Sequence, residues 1–454
     1  MQRIRRLTGM ASMAGLLALA TTAGAQQSVS QEPVRLSARE AVDYALANQS
    51  TVKTAKLDEL IQLAKNKEVA GLALPTINGT GQYQYNPILQ KQMFNVGNFA
   101  PTGGKDTFAV ITFQLPQNLM GEVRLTQTLF DPSVLVALQA RKTLEVLVSQ
   151  NVAKSQIDVK ANVYKAYYNV LSAQKALSIL TNNINTLEKI LNDTREINKN
   201  GLVEKLDVDR LVVQFTNLQT EQTKLRNLIE LGVAALKYQM GMPLKQVVVL
   251  SDTLSTERIT ESIPDMDHFD YSQRIEYQLL ETQKKANEYD LKRYRMKGLP
   301  SLQLFAATGA LRGSDKFDYL KSQTWYGYLN TGLNLSVPIF SGLQRRRQVD
   351  QALLNVKKSE VAIENAKLGI DLEREQSAST FRNNVLNLEA QEKNMKLAEE
   401  VHNTTQIKYR EGVGSSLEMS TAENDLLTAQ NNYFTALYNA IVARVDLLKA
   451  YGKL

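Results

Sequence analysis

Apolar residues recur at alternating intervals of three and four along several long stretches of this chain. Sustained spacing of this kind predicts helices that pack along an apolar seam, as in a coiled coil. The first predicted seam consists of Leu177, Leu180, Ile184, Leu187, Leu191 and Thr194. A second seam runs from Val208 to Leu236, and a third runs from Met419 to Leu447, 211 residues later.

The same regions contain very few residues that interrupt helices. No glycine or proline occurs between Ser133 and Asn200, so this span predicts one helix of about 100 Å. The span 343–411 has one glycine, Gly369, and no proline. Helices of this length are typical of coiled coils and helical arrays. Asn and Gln crowd their other faces, a pattern that fits a water-filled bore and a solvated outer surface equally well.

Other segments alternate apolar and polar residues with a period of two. Residues 122–129 and 325–337 do so most clearly, which predicts β-strands with one apolar face. The second segment is long enough for a tilted membrane strand, which needs ~9–11 residues. Residues 79–89 and 301–311 match partner strands more weakly. Residues 107–115 fit both a membrane strand and a loop hairpin, and the alternative for all these strands is an ordinary soluble sheet.

Aromatic residues bunch at the start of the clearest strand. Trp325, Tyr326 and Tyr328 lie within four positions of one another. Trp and Tyr concentrate where a membrane meets water. We therefore assign these three residues to a membrane girdle.

Landmark motifs of the first half of the chain recur in the second half in the same order. Leu74-Pro75 recurs as Leu299-Pro300, at an offset of 225. Three further pairs are offset by 210 or 211, namely Phe130 and Phe340, Gly201 and Gly412, and Gly241 and Gly452. Ordered landmarks at nearly constant spacing indicate an internal two-fold repeat. Each copy contains a helix, two strands and two long helices.

The repeat divides the exported part of the chain into segments. Residues 26–241 form the first structural repeat, residues 267–454 form the second, and residues 242–266 link them. The fall in offset from 225 to 210 places about fifteen additional residues in the first copy. Because this insertion is rich in Gly and Pro, we expect residues 86–118 to form a loop that faces outward from the cell surface.

The N-terminal residues 1–25 have the three parts of a secretory signal peptide. These parts are a basic start with Arg3, Arg5 and Arg6, a short apolar run from Met10 to Ala20, and small residues at Ala23-Gly24-Ala25. The apolar run is well short of the ~20 residues of a spanning helix, which disfavours a membrane anchor. We expect an exported chain that begins at Gln26.

Composition and charge exclude several classes of function. The formal net charge is +7 and falls to +4 without the three arginines of the signal peptide, which is too small to indicate nucleic-acid binding. The absence of cysteine excludes disulfides, thiol nucleophiles and Cys-based zinc sites. No nucleophile–base pair, phosphate loop or metal-spaced cluster occurs, and His268 and His402 are isolated in sequence. The sequence therefore predicts no enzyme, no cofactor and no metal.

The number of strands constrains how the chain can span a membrane. Two copies of the repeat give four membrane strands per chain, whereas about eight are needed to close a barrel. Several chains must therefore share one barrel. Their long helices would continue it as a second, helical tube.

At this point the chain resembles the TolC-like outer-membrane efflux family, over nearly the whole length after residue 25. The resemblance rests on the duplicated plan and on three motifs: Pro338-Ile339-Phe340-Ser341-Gly342 before Arg345-Arg346-Arg347, Tyr409-Arg410-Glu411-Gly412-Val413-Gly414, and Leu447-Leu448-Lys449-Ala450-Tyr451-Gly452. It implies a homotrimer with a twelve-stranded β-barrel, four strands per chain, continued by a periplasmic α-helical coiled-coil barrel. It also implies an outer-membrane location, a periplasmic adaptor and an inner-membrane pump as partners.

The resemblance also implies roles for the turns between paired helices. They correspond to the tips at which relatives meet their adaptor, here Gly201, Leu202 and Val203 in the first copy and Gly412, Val413 and Gly414 in the second. The simpler interpretation is that glycine there only ends a helix.

A related implication concerns carboxylates at the closed entrance. Glu418 matches one family position, and Asp207 and Asp209 hold the related place in the first copy. Thr421 stands at a second position that is acidic in relatives, so a second acidic ring is not predicted from that residue. Acidic residues in a first helical turn also complement the helix dipole, and that alternative stays open.

We therefore expect a passive outer-membrane exit duct of a tripartite efflux pump, which conducts substrates from the inner-membrane transporter to the outside of the cell. One alternative is a type I protein secretion channel, and another is a periplasmic coiled-coil scaffold. The sequence does not identify the substrate. Arg345, Arg346 and Arg347 fit a solvated face near the membrane better than a selectivity role in the lumen.

Overall fold

The computed structural model of the chain describes residues 33–95, 108–253, 269–319 and 324–454. The predicted signal peptide, most of the predicted link between the repeats, His268 and the middle of the predicted outward loop lie outside these residues. Described helices are α1 Ala38–Asn48, α2 Ser50–Gly71, α3 Pro132–Lys199, α4 Lys205–Met240, α5 Ile275–Met296, α6 Gln344–Arg410 and α7 Ser416–Ala450. Described strands are β1 Val34–Leu36, β2 Thr76–Tyr85, β3 Gln92–Asn95, β4 Phe108–Ile111, β5 Gln117–Phe130, β6 Val248–Leu250, β7 Ser301–Ser314 and β8 Tyr326–Ser336.

The two predicted long helices are present as α3 and α6, with 68 and 67 residues. Helix α3 starts at a proline in its first turn, and the Asp131 carboxylate accepts a hydrogen bond from the backbone N–H of Ser133 at 2.8 Å. Both features favour a helix start, because the first turn has N–H groups without helical partners. Each long helix turns back into a shorter one, α4 or α7, of 36 and 35 residues.

The helical segment that precedes the first strand of the sheet is divided into two helices, α1 and α2. The chain leaves the helical conformation at Gln49, whose ψ is 133°, and the Gln49 side chain caps α2 by accepting a hydrogen bond from Thr51 N–H. The break accommodates the turn at Gly241, where an added Cβ would lie 2.8 Å from the Asn48 carbonyl oxygen. The break depends on this contact with a residue almost 200 positions away, which local spacing does not reveal.

The predicted seams are buried between the long helices. Leu180, Leu187 and Leu191 of α3 form one cluster with Leu211 and Leu218 of α4, and Met419 of α7 joins it. Farther along, a second cluster joins α6 and α7 and includes Phe381, Leu388, Leu437 and Leu447. These contacts confirm that the alternating spacing marks a packed interface.

The middle of α3 packs against a small layer formed by β1, β6 and α1. Strands β1 and β6 pair in parallel. Tyr167 of α3 is fully buried there, and its hydroxyl donates to the Leu36 carbonyl at 2.9 Å. Burial raises the pKa of Tyr167 to about 12, so the hydroxyl keeps its proton and this hydrogen bond over the physiological range.

Four strands form one antiparallel sheet in the order β2-β5-β7-β8. Strands β2 and β8 are its two edges within the described part of the chain. Residues 108–111, whose role the sequence leaves open, pair with Gln92–Asn95 in a separate two-stranded sheet. Within the described residues, this segment is therefore a loop hairpin and not a fifth strand of the main sheet.

No helix within the described ranges is both long enough and apolar enough to cross a membrane.

Candidate functional site

The two helix–helix turns have the same backbone conformation. Gly201 and Gly412 both have φ of 75°, which is in the left-handed region that favours glycine. In each turn the N–H of the next residue donates back to the carbonyl of the residue third from the helix end, Leu202 to Ile197 at 3.3 Å and Val413 to Lys408 at 3.0 Å. This bonding satisfies helix-end carbonyl groups that otherwise have no partner.

The residue after each glycine projects an apolar side chain into solvent. Leu202 is 79% exposed and Val413 is 78% exposed. Neither side chain is needed to close its turn, because the turn bonds are made by the backbone. Two apolar side chains presented at the same position of equivalent turns form a surface suited to contact with another protein. We call the two turns, residues 201–203 and 412–414, the tips.

The predicted aperture carboxylates lie close to the tips but have different surroundings. Asp207 accepts a hydrogen bond from the hydroxyl of Ser416, so it links the first turn of α4 to the first turn of α7. Arg210 lies near both residues, with its Nη1 3.9 Å from Asp207 Oδ1 and 3.1 Å from Ser416 Oγ. Part of the Asp207 charge is therefore balanced within the chain.

Glu418 and Asp209 are more open to solvent. Both side chains are exposed. The backbone N–H of Glu418 donates to the Ser415 hydroxyl at 3.2 Å, which caps the start of α7 and leaves the Glu418 carboxylate outward. Thr421 donates its hydroxyl to the Leu417 carbonyl at 2.9 Å. Of the three predicted carboxylates, Glu418 and Asp209 are thus the ones most open to solvent.

A buried pair that sequence reasoning missed lies behind the second turn. The Nε2 atom of His402 on α6 is 2.6 Å from Oε2 of Glu423 on α7, and both residues are buried. The hydrogen bond to Glu423 raises the pKa of His402 above its ordinary value. The sequence does contain a signal for this contact, since positions 402 and 423 are equally distant from the turn at 412–413. His402 is therefore not isolated in the fold.

The four-stranded sheet has one polar and one apolar face. The register aligns Val123, Thr308 and Leu329 in one row and Glu122, Gly309 and Tyr328 in the next. The first row belongs to a face whose large apolar side chains are exposed, namely Ile77, Val123, Leu304, Leu329, Leu333 and Leu335. An exposed apolar surface of this extent is unusual for a protein surrounded only by water.

The three predicted girdle residues do not share a face of the sheet. Tyr326 and Tyr328 lie at positions of β8 that belong to the polar face. The Tyr328 hydroxyl donates a hydrogen bond to Glu122 at 2.7 Å. Glu122 is paired in turn with Arg124 at 2.9 Å. Trp325 directly precedes β8. Clustering along the chain does not indicate the face of the sheet on which each side chain lies, because neighbouring residues of a strand point to opposite faces.

A second aromatic group lies at the end of the sheet near residues 83 and 317. The ring of Tyr83 is 6.0 Å from that of Phe317 and 5.9 Å from that of Tyr319, in edge-to-face arrangements. Tyr83 has the parity of the apolar face. These residues are far apart in sequence, so clustering along the chain could not reveal them.

Comparison with known proteins identifies similar chains. Residues 279–453 match the family described as Outer membrane efflux protein. The probable efflux pump outer membrane protein TtgC of Pseudomonas putida is 24% identical over 320 residues, which cover 68% of this chain and 64% of TtgC. The outer membrane protein TolC of Escherichia coli is 22% identical over 346 residues, covering 73% of this chain and 69% of TolC. The aligned part of the chain thus spans slightly less than two thirds of the length of TtgC.

Solved structures show the fold. The crystal structures of CusC, described as reporting transmembrane channel formation, have a TM-score of 0.71 at 15% identity, with 91% of each chain covered. The outer membrane protein VceC of Vibrio cholerae has a TM-score of 0.68 at 12% identity, covering 91% of this chain and 96% of VceC. The described chain therefore has the mainly helical fold of these proteins.

Proposed function

We propose that this chain belongs to the TolC-like outer-membrane efflux family and forms the outer-membrane exit duct of a tripartite efflux pump. One observation carries the proposal: a four-stranded sheet with an exposed apolar face continues directly into helices of 68 and 67 residues. Such a sheet can lie in lipid, and helices of this length reach about 100 Å away from it. The protein then acts as a passive conduit and not as an enzyme.

The edges of the sheet support a shared barrel. Strands β2 and β8 are edges of the sheet within the described residues, so each has a row of backbone N–H and C=O groups facing away from it. Within lipid those groups need partners, because no water is present to bind them. A second copy can supply β2 to the β8 edge. Three copies then close a twelve-stranded barrel. Helices α3, α4, α6 and α7 of each copy give the tube twelve helices.

Paired features support an internal two-fold repeat of residues 26–241 and 267–454. Helices α3 and α6 differ by one residue in length, as do α4 and α7. Gly241 and Gly452, 211 residues apart, both have positive φ and both pack against the start of a helix, near Gln49 and Gln273 respectively. In a trimer, this duplication would give the helical tube approximate six-fold symmetry.

The tips are proposed to meet a periplasmic adaptor, which connects the duct to an inner-membrane pump. Their exposed Leu202 and Val413 support this role, since apolar anchors surrounded by polar residues are typical of protein interfaces. Glu418 and Asp209, with a smaller contribution from Asp207, are proposed to line the entrance. A type I secretion channel would use the same duct, and no feature of the described chain favours it.

Membrane topology tests the proposal. The chain has no cysteine, so a single cysteine introduced as Gly103→Cys or as Leu202→Cys is a unique probe. In intact cells, an impermeant maleimide should label Gly103→Cys and leave Leu202→Cys unlabelled until the outer membrane is permeabilised. Labelling of both variants in intact cells, or of neither, would contradict an outer-membrane duct with periplasmic tips.

A further inference from the structure

A cluster of basic side chains lies where the second half of the sheet joins the helices. It is formed by the end of α5 and the start of α6, and its members are Arg293, Arg295, Lys297, Arg345, Arg346 and Arg347. We call it the basic collar. All six side chains are exposed except that of Arg345, which is half-buried.

Strand pairing brings the two parts of the collar together. Ser301 at the start of β7 pairs with Ser336 at the end of β8, so the preceding α5 and the following α6 meet below the sheet. A Cβ added to Gly298 would lie only 2.9 Å from Nη1 of Arg345, which places that guanidinium directly against the α5–β7 connection. The collar is thus one surface and not two separate runs.

Within the described part of the chain, two of the six collar cations have an ion-pair partner. Arg293 pairs with Asp290 at 2.7 Å, and Arg347 pairs with Asp350 at 3.2 Å. The other four members, Arg295, Lys297, Arg345 and Arg346, form no ion pair among the described residues. Four unpaired cations on a small surface attract anions strongly.

The architecture alone does not require these cations. In the first repeat, the positions equivalent to Arg295 and Lys297 are Ala70 and Leu72, and those equivalent to Arg345, Arg346 and Arg347 are Leu135, Val136 and Ala137. The same junction is therefore built there without a single one of these charges. Arginines in the first turn of α6 also oppose the helix dipole, which disfavours them as a device for folding.

The collar borders two highly exposed apolar side chains next to the sheet. Ile339 and Phe340 are 91% and 81% exposed and lie between the end of β8 and the start of α6. The apolar face of β8, with Leu333 and Leu335, leads into them. In a membrane, the hydrocarbon layer ends at the negatively charged phosphate headgroups. An apolar surface that ends at a row of cations complements this arrangement.

We propose that the basic collar binds the phosphate headgroups of anionic phospholipids in the periplasm-facing leaflet of the outer membrane. The inference rests on the proposed function, because it requires the sheet to lie in that membrane. Guanidinium groups suit this role, since they donate two parallel hydrogen bonds to phosphate oxygens and hold their charge at any physiological pH. Each basic residue at such a surface contributes about fivefold to binding.

Native mass spectrometry of the full exported chain in detergent, with added phosphatidylglycerol or phosphatidylcholine, tests the inference. The collar variant carries Arg295→Gln, Lys297→Gln, Arg345→Gln and Arg346→Gln. The matched control carries Lys199→Gln, Lys205→Gln, Lys408→Gln and Arg410→Gln, which removes the same charge at the far end of the helices. Wild type and control should bind phosphatidylglycerol over phosphatidylcholine, and the preference should fall by about fivefold or more in the collar variant.

Three results would contradict binding of phospholipid headgroups by the collar. These are equal binding of the two lipids by wild type, an equal loss in the control variant, and displacement of the bound lipid by millimolar glycerol 3-phosphate, which would indicate a site for soluble phosphate. A collar that faces the lumen would show no lipid preference and is excluded by the expected result. Insertion into phosphatidylcholine vesicles separates the two proposals: its failure in wild type contradicts the duct, whereas insertion without lipid preference contradicts the collar alone.

Discussion

The Nε2 atom of His402 lies 2.6 Å from the Glu423 Oε2 atom, across the interface between the two helices that form the second turn. At the equivalent positions of the first repeat, 211 residues earlier, the chain has Leu191 and Val212. One copy therefore closes this level of its helix pair with apolar side chains, and the other closes it with a buried hydrogen-bonded pair. Polar pairs in such positions restrict which partner and register a helix accepts.

This pair predicts that stability depends on pH. Glu423 raises the folded-state pKa of His402, so the stabilisation is fully present below the unfolded value of about 6.5 and is lost as pH rises through the folded-state pKa. Glu423→Gln should lower stability by about 1–3 kcal/mol, with the larger loss at acidic pH. Thermal unfolding of the detergent-solubilised protein between about pH 5.5 and 8.5 measures this.

The first repeat supplies a control for that experiment. The double variant His402→Leu, Glu423→Val copies its apolar pair, and replacing a buried ion pair by apolar residues is often neutral or stabilising. It should unfold at a temperature similar to or above that of wild type, without the pH dependence assigned to His402. A pH profile unchanged in both variants would show that this pair does not control stability.

Packing at the seam should matter more than charge. Leu218 is buried in the cluster that joins α3 and α4, so Leu218→Ala should cost about 2–5 kcal/mol, and Leu218→Asp should cost more because it buries a carboxylate. Leu228→Asp, at an exposed position of the same helix, is the matched control and should leave yield and unfolding temperature nearly unchanged. Equal yields of Leu218→Asp and Leu228→Asp would contradict the seam assignment.

The tips should affect assembly without affecting stability. Leu202 and Val413 are exposed, so the double variant Leu202→Asp, Val413→Asp should fold and trimerise normally. Loss of two apolar anchors should weaken adaptor binding by at least about tenfold, measured as in-cell cross-linking to the adaptor. The control variant Leu397→Asp also replaces an exposed apolar side chain by a carboxylate, but far from the turns. It should cross-link to the adaptor as wild type does. If the tip variant cross-links to the adaptor as well as wild type does, the tips do not bind the adaptor. The glycine turns would then serve only to end the helices.

The entrance carboxylates should set ion preference unequally. Asp207 is bound to Ser416 and lies near Arg210, whereas Glu418 and Asp209 are exposed. Glu418→Gln with Asp209→Asn should therefore weaken cation preference and block by multivalent cations more than Asp207→Asn does. Arg345→Gln with Arg346→Gln should leave the block unchanged. If these acids only complement helix N-termini, the variants would lose about 0.3–1 kcal/mol of stability per site and keep wild-type ion preference.

Periodic features of the fold were predictable from sequence, because they depend on local spacing. The seam at Leu180, Leu187 and Leu211 and the alternation of β5 and β8 are examples. Features that depend on how distant segments meet were not predictable from spacing. The break at Gln49 follows from contact with Gly241, and the Tyr328–Glu122 hydrogen bond follows from the register across β7. The His402–Glu423 pair lies between these cases, since a known turn position is enough to bring the two residues opposite each other.

Single-channel recording of the purified wild-type protein in a planar lipid bilayer tests the central claim most directly. A trimeric duct with a narrow acidic entrance should give discrete current steps of small amplitude, with a preference for cations that multivalent cations reduce. Protein that inserts into the bilayer and never carries current, at any voltage and in either orientation, would contradict its function as an exit duct.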